Sequence, residues 1–308
     1  MTLVEVAGLE KTFERRTAPW RRPRIIRAVD RVSFSIGEGE TFGLVGESGS
    51  GKTTTVRCLL RLIEPTSGSF LFRGEEVFDM TPSRLRTLRR NVQMVFQDPE
   101  SSLDPRMTAG AIVEEGLVIH RIGTPADRRS RVRELFEMVG LDAGMLGRLP
   151  REFSGGQRQR IGIARALALE PAFLVADEPV SALDVSVQAQ VVNLLLDLQQ
   201  KLGLTLLLVA HDLRLVRHLS SRLAVMYRGR IVEMGRADAV FRAPAHAYTR
   251  ALLSAMPDPR RGGRPDRLAF DHAAFDPGLE LREVAPGHWA AVTGTGPASE
   301  SLLRRRPL

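Results

Sequence analysis

Short apolar runs recur along the chain at Phe42–Val45, Val92–Phe96, Phe173–Ala176, Leu204–Ala210 and Leu223–Met226. Each is hydrophobic almost without a break, the pattern of a strand buried on both faces, as parallel strands are. Stretches of helical length and spacing lie between them: Lys52–Ile63, Gln157–Leu169, Val187–Leu202 and Leu213–Leu219. Strand alternating with helix predicts an α/β fold with a mainly parallel core sheet. The alternation stops over residues 105–150, where arginine-rich helical patterns run without a convincing strand. A helical subdomain inserted into the sheet domain is expected there. Glu14–Arg27 is rich in arginine and proline and reads as an exposed loop or hairpin tip. A solvated insertion is a plainer account of it than contact with a partner or membrane. After Met256 the composition shifts to proline, glycine and arginine without sustained periodicity. Residues 257–308 are therefore expected to form a loop-rich or partly disordered appendage.

Composition narrows the choices. The 308 residues are 43% hydrophobic and 26% charged, which excludes a mainly disordered chain and leaves room for two domains, or for one with an extension. The longest apolar run, Leu204–Ala210, falls far short of the roughly 20 residues that cross a bilayer. The first residues are acidic where a signal peptide needs a basic region and an apolar core, so a cytosolic location is expected. Cys58 is the single cysteine, which excludes an internal disulfide and a multi-cysteine metal site. It falls in the helix after Lys52 and reads as a buried apolar filler. The net charge of +8 could suggest nucleic acid, but only Lys11, Lys52 and Lys201 are lysine. An arginine bias that general is weak evidence for a binding surface.

Gly46, Glu47, Ser48, Gly49, Ser50, Gly51, Lys52 and Thr53 match G-x-x-x-x-G-K-[ST], placed between an apolar run and a helical one as a P-loop requires. Glycines admit positive φ and let backbone N–H groups approach phosphates, and the helix N-terminus adds partial positive charge. Lys52 is expected at the β- and γ-phosphates and the Thr53 hydroxyl on Mg²⁺, with Thr54 beside them. The run Phe173–Ala176 ends in Asp177 and Glu178. Asp177 is placed to hold Mg²⁺. Glu178, pointing the other way, could orient and deprotonate an attacking water. Alone, two acids after a strand would be a solvated turn; beside a P-loop they read as catalytic. His211 follows Leu204–Ala210 at the sheet edge where such folds bind ligands, and contact with the γ-phosphate is expected, although a histidine there can simply cap a helix. Ser154, Gly155, Gly156 and Gln157 form a capping box whose two glycines are not needed for capping. Close approach of a backbone or a phosphate would explain them, and suggests a site shared between two chains.

Taken in order, the P-loop, Gln97 within Val95–Asp98, Ser154–Gln157, Asp177–Glu178, Ser181–Asp184 and His211 resemble the ATPase subunits of ABC transporters over residues 3–255. The resemblance implies a P-loop NTPase cassette, residues 1–255, with an antiparallel N-terminal β part and a helical subdomain inserted at about 105–165. It implies two subunits sandwiching two ATPs, with Ser154 and Gly156 donating across the interface and Asp184 linking the two sites. It also implies that Gln97 touches Mg²⁺ and the lytic water, and that Phe13 stacks on adenine, with Trp20 as the fallback and a core role open for Phe13. Gln97–Pro105, Phe241–Pro257 and Val284–His288 are similar to the oligopeptide, dipeptide and nickel importer group. Residues 256–308 would then be the extension of that group. No iron–sulfur cluster is expected, because the tail lacks cysteine. The partners implied are an unlike second ATPase subunit, two transmembrane permeases and an extracytoplasmic peptide-binding protein, at the cytoplasmic face of the membrane. Another cargo, such as nickel or sugar, export, or a non-transport ATPase on nucleic acid are the competing readings.

Overall fold

A computed structural model describes residues 1–15, 24–256, 268–273, 275–293 and 303–305. Residues group into two compact units. One comprises Met1, Gly37–Glu40 and Asp79–Leu208; the other comprises Thr2–Ile36, Thr41–Phe78 and Val209–Leu308. The strand Thr205–Ala210 carries the chain from the first to the second.

In the first unit, Val92–Val95 lies parallel to Phe173–Asp177, with Val92 opposite Phe173 and Val95 opposite Ala176. All five residues of Phe173–Asp177 are buried, as a run apolar on both faces predicts. Between these strands the chain is helical: Ala109–Ile119, Pro125–Met138 and Gly155–Leu167. Their starts are written in the sequence. Thr108 accepts the Ala111 N–H, and Thr124 forms a capping box with Asp127 ahead of Pro125 at the first helical turn. Ile112, Val113, Leu135, Phe136, Ile161 and Ala164 fill the space inside. The helix Pro82–Asn91 gave no apolar stripe, and Leu88 is its one buried residue.

The second unit opens with an antiparallel sheet in which Arg24–Gly37, Thr2–Arg15, Ser67–Phe72 and Glu75–Glu76 follow one another. Val4 lies opposite Phe72 and Val6 opposite Phe70. Hydrophobic periodicity had not marked these strands individually, because a sheet solvated on one face alternates where a doubly buried strand runs continuously. The proposed loop Glu14–Arg27 is strand at both ends, through Arg15 and from Arg24. Residues 16–23, with Trp20, lie outside the described residues.

A second sheet carries Thr41–Val45 parallel to Arg222–Tyr227, and Arg230–Arg236 returns antiparallel beside the latter. Part of the tail joins this sheet as short strands. His288–Ala290 pairs with Arg230–Arg236, and Arg282–Ala285 pairs with His288–Ala290. These strands have three and four residues, too few to show a period. A buried polar cluster fastens them. Glu233, fully buried, accepts the N–H groups of Ala245 (2.7 Å) and His246 (2.9 Å) and pairs with His288 Nε2 at 2.7 Å.

His246 caps the helix Ala247–Ser254, its Nδ1 accepting the Tyr248 N–H at 3.1 Å. Burial depresses its pKa to about 4, against an opposing pull from Glu233 and with help from Arg250. Above pH 6.5 folded and unfolded chains both hold this ring neutral, so its contribution is fully present. Between pH 6.5 and 4 only the unfolded chain takes up the proton, and stability falls. Urea denaturation across that window should show a loss of up to about 3 kcal/mol, and His246→Asn, which keeps a capping acceptor, should flatten it. An equally steep pH dependence in the Asn variant would assign the loss to other groups.

Candidate functional site

In the second unit the buried strand Thr41–Val45 runs into Gly46 and a tight loop that ends at the helix Lys52–Leu59. Two glycines are dictated by geometry. At Gly46 (φ 156°) a Cβ would sit 2.2 Å from the Met226 carbonyl oxygen, and at Gly51 (φ 108°) one would sit 2.3 Å from that of Ala28. Gly51 is the N-cap, and as a glycine it brings no side chain that could cap the helix. A helix start of this kind, with the macrodipole behind it, suits an anion. The loop is braced from behind: the Ser50 carbonyl accepts the Gly229 N–H at 2.8 Å. Lys52 is only 4% exposed. Its Nζ donates to the carbonyls of Gly46 at 2.7 Å and Glu47 at 3.0 Å, so the ammonium is folded onto the loop it belongs to. Thr53 and Thr54 are half-buried on the first turn. Cys58 is fully buried on the same helix, and burial pushes its thiol up to about 11, in line with the filler role.

His211 is exposed, directly after the strand Thr205–Ala210, and its neighbour Asp212 caps the next helix through the Arg214 N–H. Capping therefore falls to Asp212, not to the histidine. Phe13 lies on Thr2–Arg15 with 41% of its surface exposed and Lys11 Nζ 5.0 Å from the ring centre. That exposure is more than a core residue shows.

In the first unit the parallel strands Val92–Val95 and Phe173–Asp177 end side by side. Gln97 and Glu178, 81 positions apart, meet there, with Gln97 Nε2 3.2 Å from Glu178 Oε2. Asp177 is 2% exposed. Glu178 adopts φ 45°, a left-handed backbone that costs a non-glycine residue about 1 kcal/mol or more and is common at functional sites. Sequence gave no sign of that strain. Ser154 and Gln157 form the reciprocal capping box at 3.3 and 2.9 Å. Gly156 has a cause inside its own chain, since a Cβ there would meet Val187 Cγ1 at 2.4 Å. The argument from close approach of a second chain or a phosphate therefore rests on Gly155, whose nearest neighbour would be Leu183 at an ordinary 3.4 Å. Asp184 precedes the helix Val185–Leu202 without capping it through its side chain. Arg158 pairs with Glu100 at 2.8 Å and Arg165 donates to the Ser102 carbonyl at 2.6 Å, tying the Gly155–Leu167 helix to the segment after Gln97.

The sequence reading missed two residues. Glu233 lies outside every apolar run and motif, and nothing in the sequence singles it out. Tyr248, whose hydroxyl accepts the Glu47 N–H at 3.1 Å, sits 201 positions from the loop it touches. Its one signal was membership of the Phe241–Pro257 stretch.

Comparison with known proteins agrees with this geometry. Residues 29–181 match the family model described as ABC transporter, and residues 232–272 match the one described as oligopeptide/dipeptide transporter, C-terminal region. A putative peptide import ATP-binding protein of Brucella ovis is 49% identical, over 94% of this chain and 96% of the relative. The oligopeptide transport ATP-binding protein OppF of Bacillus subtilis is 50% identical, over 87% and 90%. Among solved structures, a dimeric post-hydrolysis state of the ATP-binding cassette MJ0796 with ADP and Pi superimposes with a TM-score of 0.68 at 31% identity, over 76% of this chain and 99% of that one. Among the described residues no helix is long and apolar enough to cross a membrane. The chain belongs to the ABC transporter ATP-binding family, among the members that carry the oligopeptide/dipeptide transporter C-terminal region.

Proposed function

We propose that this chain hydrolyses ATP to power an importer of oligopeptides or dipeptides. One observation carries the reading: the P-loop and the oligopeptide/dipeptide transporter C-terminal region stand in one chain, whose relatives are named for peptide import over nearly their full length. The phosphates of ATP take the helix start at Gly51, where Gly46, Glu47, Ser48, Gly49 and Ser50 supply the loop. Lys52 turns from its two carbonyls to the β- and γ-phosphates. The Thr53 hydroxyl, the Gln97 amide oxygen and the Asp177 carboxylate are hard oxygen donors of the kind Mg²⁺ takes, and among the described residues no His, Cys, Asp and Glu cluster offers a rival metal cage. Bound there, Mg²⁺ would neutralise charge on the β- and γ-phosphate oxygens.

Glu178 orients the attacking water and accepts its proton, and Gln97 holds that carboxylate. His211 contacts the γ-phosphate. Positioning and charge stabilisation supply most of the rate, as in phosphoryl transfer generally. Phe13 stacks on adenine. Ser154, Gly155, Gly156, Gln157 and Asp184 act on the nucleotide held by a second, unlike ATPase subunit. Two transmembrane permeases and an extracytoplasmic peptide-binding protein complete the complex, with this subunit peripheral at the cytoplasmic face.

Affinity capture tests the assembly. Tagged Glu178→Gln protein recovered from its native membranes with ATP should bring down two polytopic subunits, a second ATPase and a peptide-binding protein. Recovery of DNA or ribosomes without membrane proteins would overturn the transport reading.

A further inference from the structure

We propose that Tyr248 is a positioning residue for the P-loop, its hydroxyl clamping the Gly46–Glu47 peptide and thereby setting the loop's affinity for ATP. The inference rests on the reading of that loop as the ATP site, and goes beyond it by making the C-terminal region part of the site.

The peptide unit between Gly46 and Glu47 is used at both ends. Its N–H is donated to Tyr248 Oη at 3.1 Å, and its C=O accepts Lys52 Nζ at 2.7 Å. Because a peptide is planar, fixing the direction of the N–H fixes that of the C=O. The hydroxyl therefore fixes how the first peptide of the loop lies, both while its carbonyl holds the Lys52 ammonium and after Lys52 has turned to the phosphates. The preceding residue makes such control necessary. Gly46 sits at φ 156° and has no Cβ to restrict it, so the direction of the peptide after it depends on the hydrogen bonds at its two ends.

Tyr248 is built to be that outside support. It is 1% exposed, on the helix Ala247–Ser254 that His246 caps. Glu233 holds the start of that helix through two backbone N–H groups and is itself paired with His288. The ring packs 4.4 Å from that of Tyr227 and 5.5 Å from that of Phe270, centre to centre. Tyr227 in turn holds His272 through its hydroxyl at 2.6 Å. Residues 268–272 thus press on the same rings, and the only polar atom of the Tyr248 side chain is turned to the loop. Burial raises its pKa, so the phenol stays protonated and keeps its role at any pH the protein meets.

Tyr248→Phe removes one oxygen and keeps the ring. In the full-length protein, titration with a fluorescent ATP analogue should show affinity reduced about fivefold, the scale of one hydrogen bond that keeps a loop in its binding conformation. In the assembled transporter the KM for ATP should rise by the same factor while kcat stays within about twofold. The melting temperature of the nucleotide-free protein should move by no more than about 2 °C. Unchanged affinity would overturn the clamp. So would affinity and melting temperature falling together, because that pattern belongs to a residue of purely structural value. Lys52→Ala, measured alongside, separates the two levels. If it still binds and hydrolyses ATP normally, the P-loop reading fails whatever Tyr248 does.

Discussion

Glu178→Gln leaves ATP bound and slows its hydrolysis by about 10²-fold or more. The two side chains have the same shape, and an amide oxygen at position 178 can still accept the Gln97 Nε2 that now lies 3.2 Å from the carboxylate. The left-handed backbone at φ 45° costs glutamine what it costs glutamate, so folding is spared. What disappears is a group able to take a proton from water. Single-turnover hydrolysis in the assembled transporter, beside equilibrium binding of ATP, reads the two effects separately. A variant that turns over at the unaltered rate would remove Glu178 from the chemistry. One that binds no ATP would show that the residue shapes the nucleotide site and not only the reaction.

The P-loop was legible because everything it needs is local. A glycine that must avoid the Met226 carbonyl, a second that must avoid that of Ala28 and a lysine between strand and helix lie within seven residues. The strands flanking it were legible because burial on both faces leaves an unbroken apolar run. Gln97 and Glu178 were harder. Glu178 stood out by its place after an apolar run and Gln97 only through the family resemblance, and the parallel register of their strands is what brings them to hydrogen-bonding distance. Gly156 shows how a sound premise can have a second answer, since the close approach that demands glycine comes from Val187 of the same chain.

The tail was illegible for a different reason. Its strands have three or four residues, and what orders them is one buried carboxylate and a set of rings that no periodicity reports. Tyr248 belongs to that set. A tyrosine on a short helix says nothing of a loop two hundred positions earlier, and only the tertiary fold joins them.

Glu233 should therefore be the residue on which the ordered part of the extension depends. Glu233→Ala strands three buried donors at once: the Ala245 and His246 N–H groups and His288 Nε2. Each hydrogen bond to a charged acceptor is worth about 1.5–3 kcal/mol, and a stranded donor in a site that water cannot enter keeps the desolvation cost. Partial relaxation trims the sum, so the expected loss is about 4 kcal/mol, or roughly 10 °C in melting temperature. Glu233→Gln keeps one acceptor oxygen but turns an NH₂ toward donors, and should fall between the two. Because the helix that starts at His246 carries Tyr248, the Ala variant should also bind ATP more weakly, with the loss of affinity and the loss of stability arriving together. Tyr248→Phe should lose affinity alone. Thermal melts of the full-length protein decide the matter. If Glu233→Ala melts within about 2 °C of the parent, the cluster is not what fastens the extension, and the strands beside Arg230–Arg236 must be held by their backbone ladder.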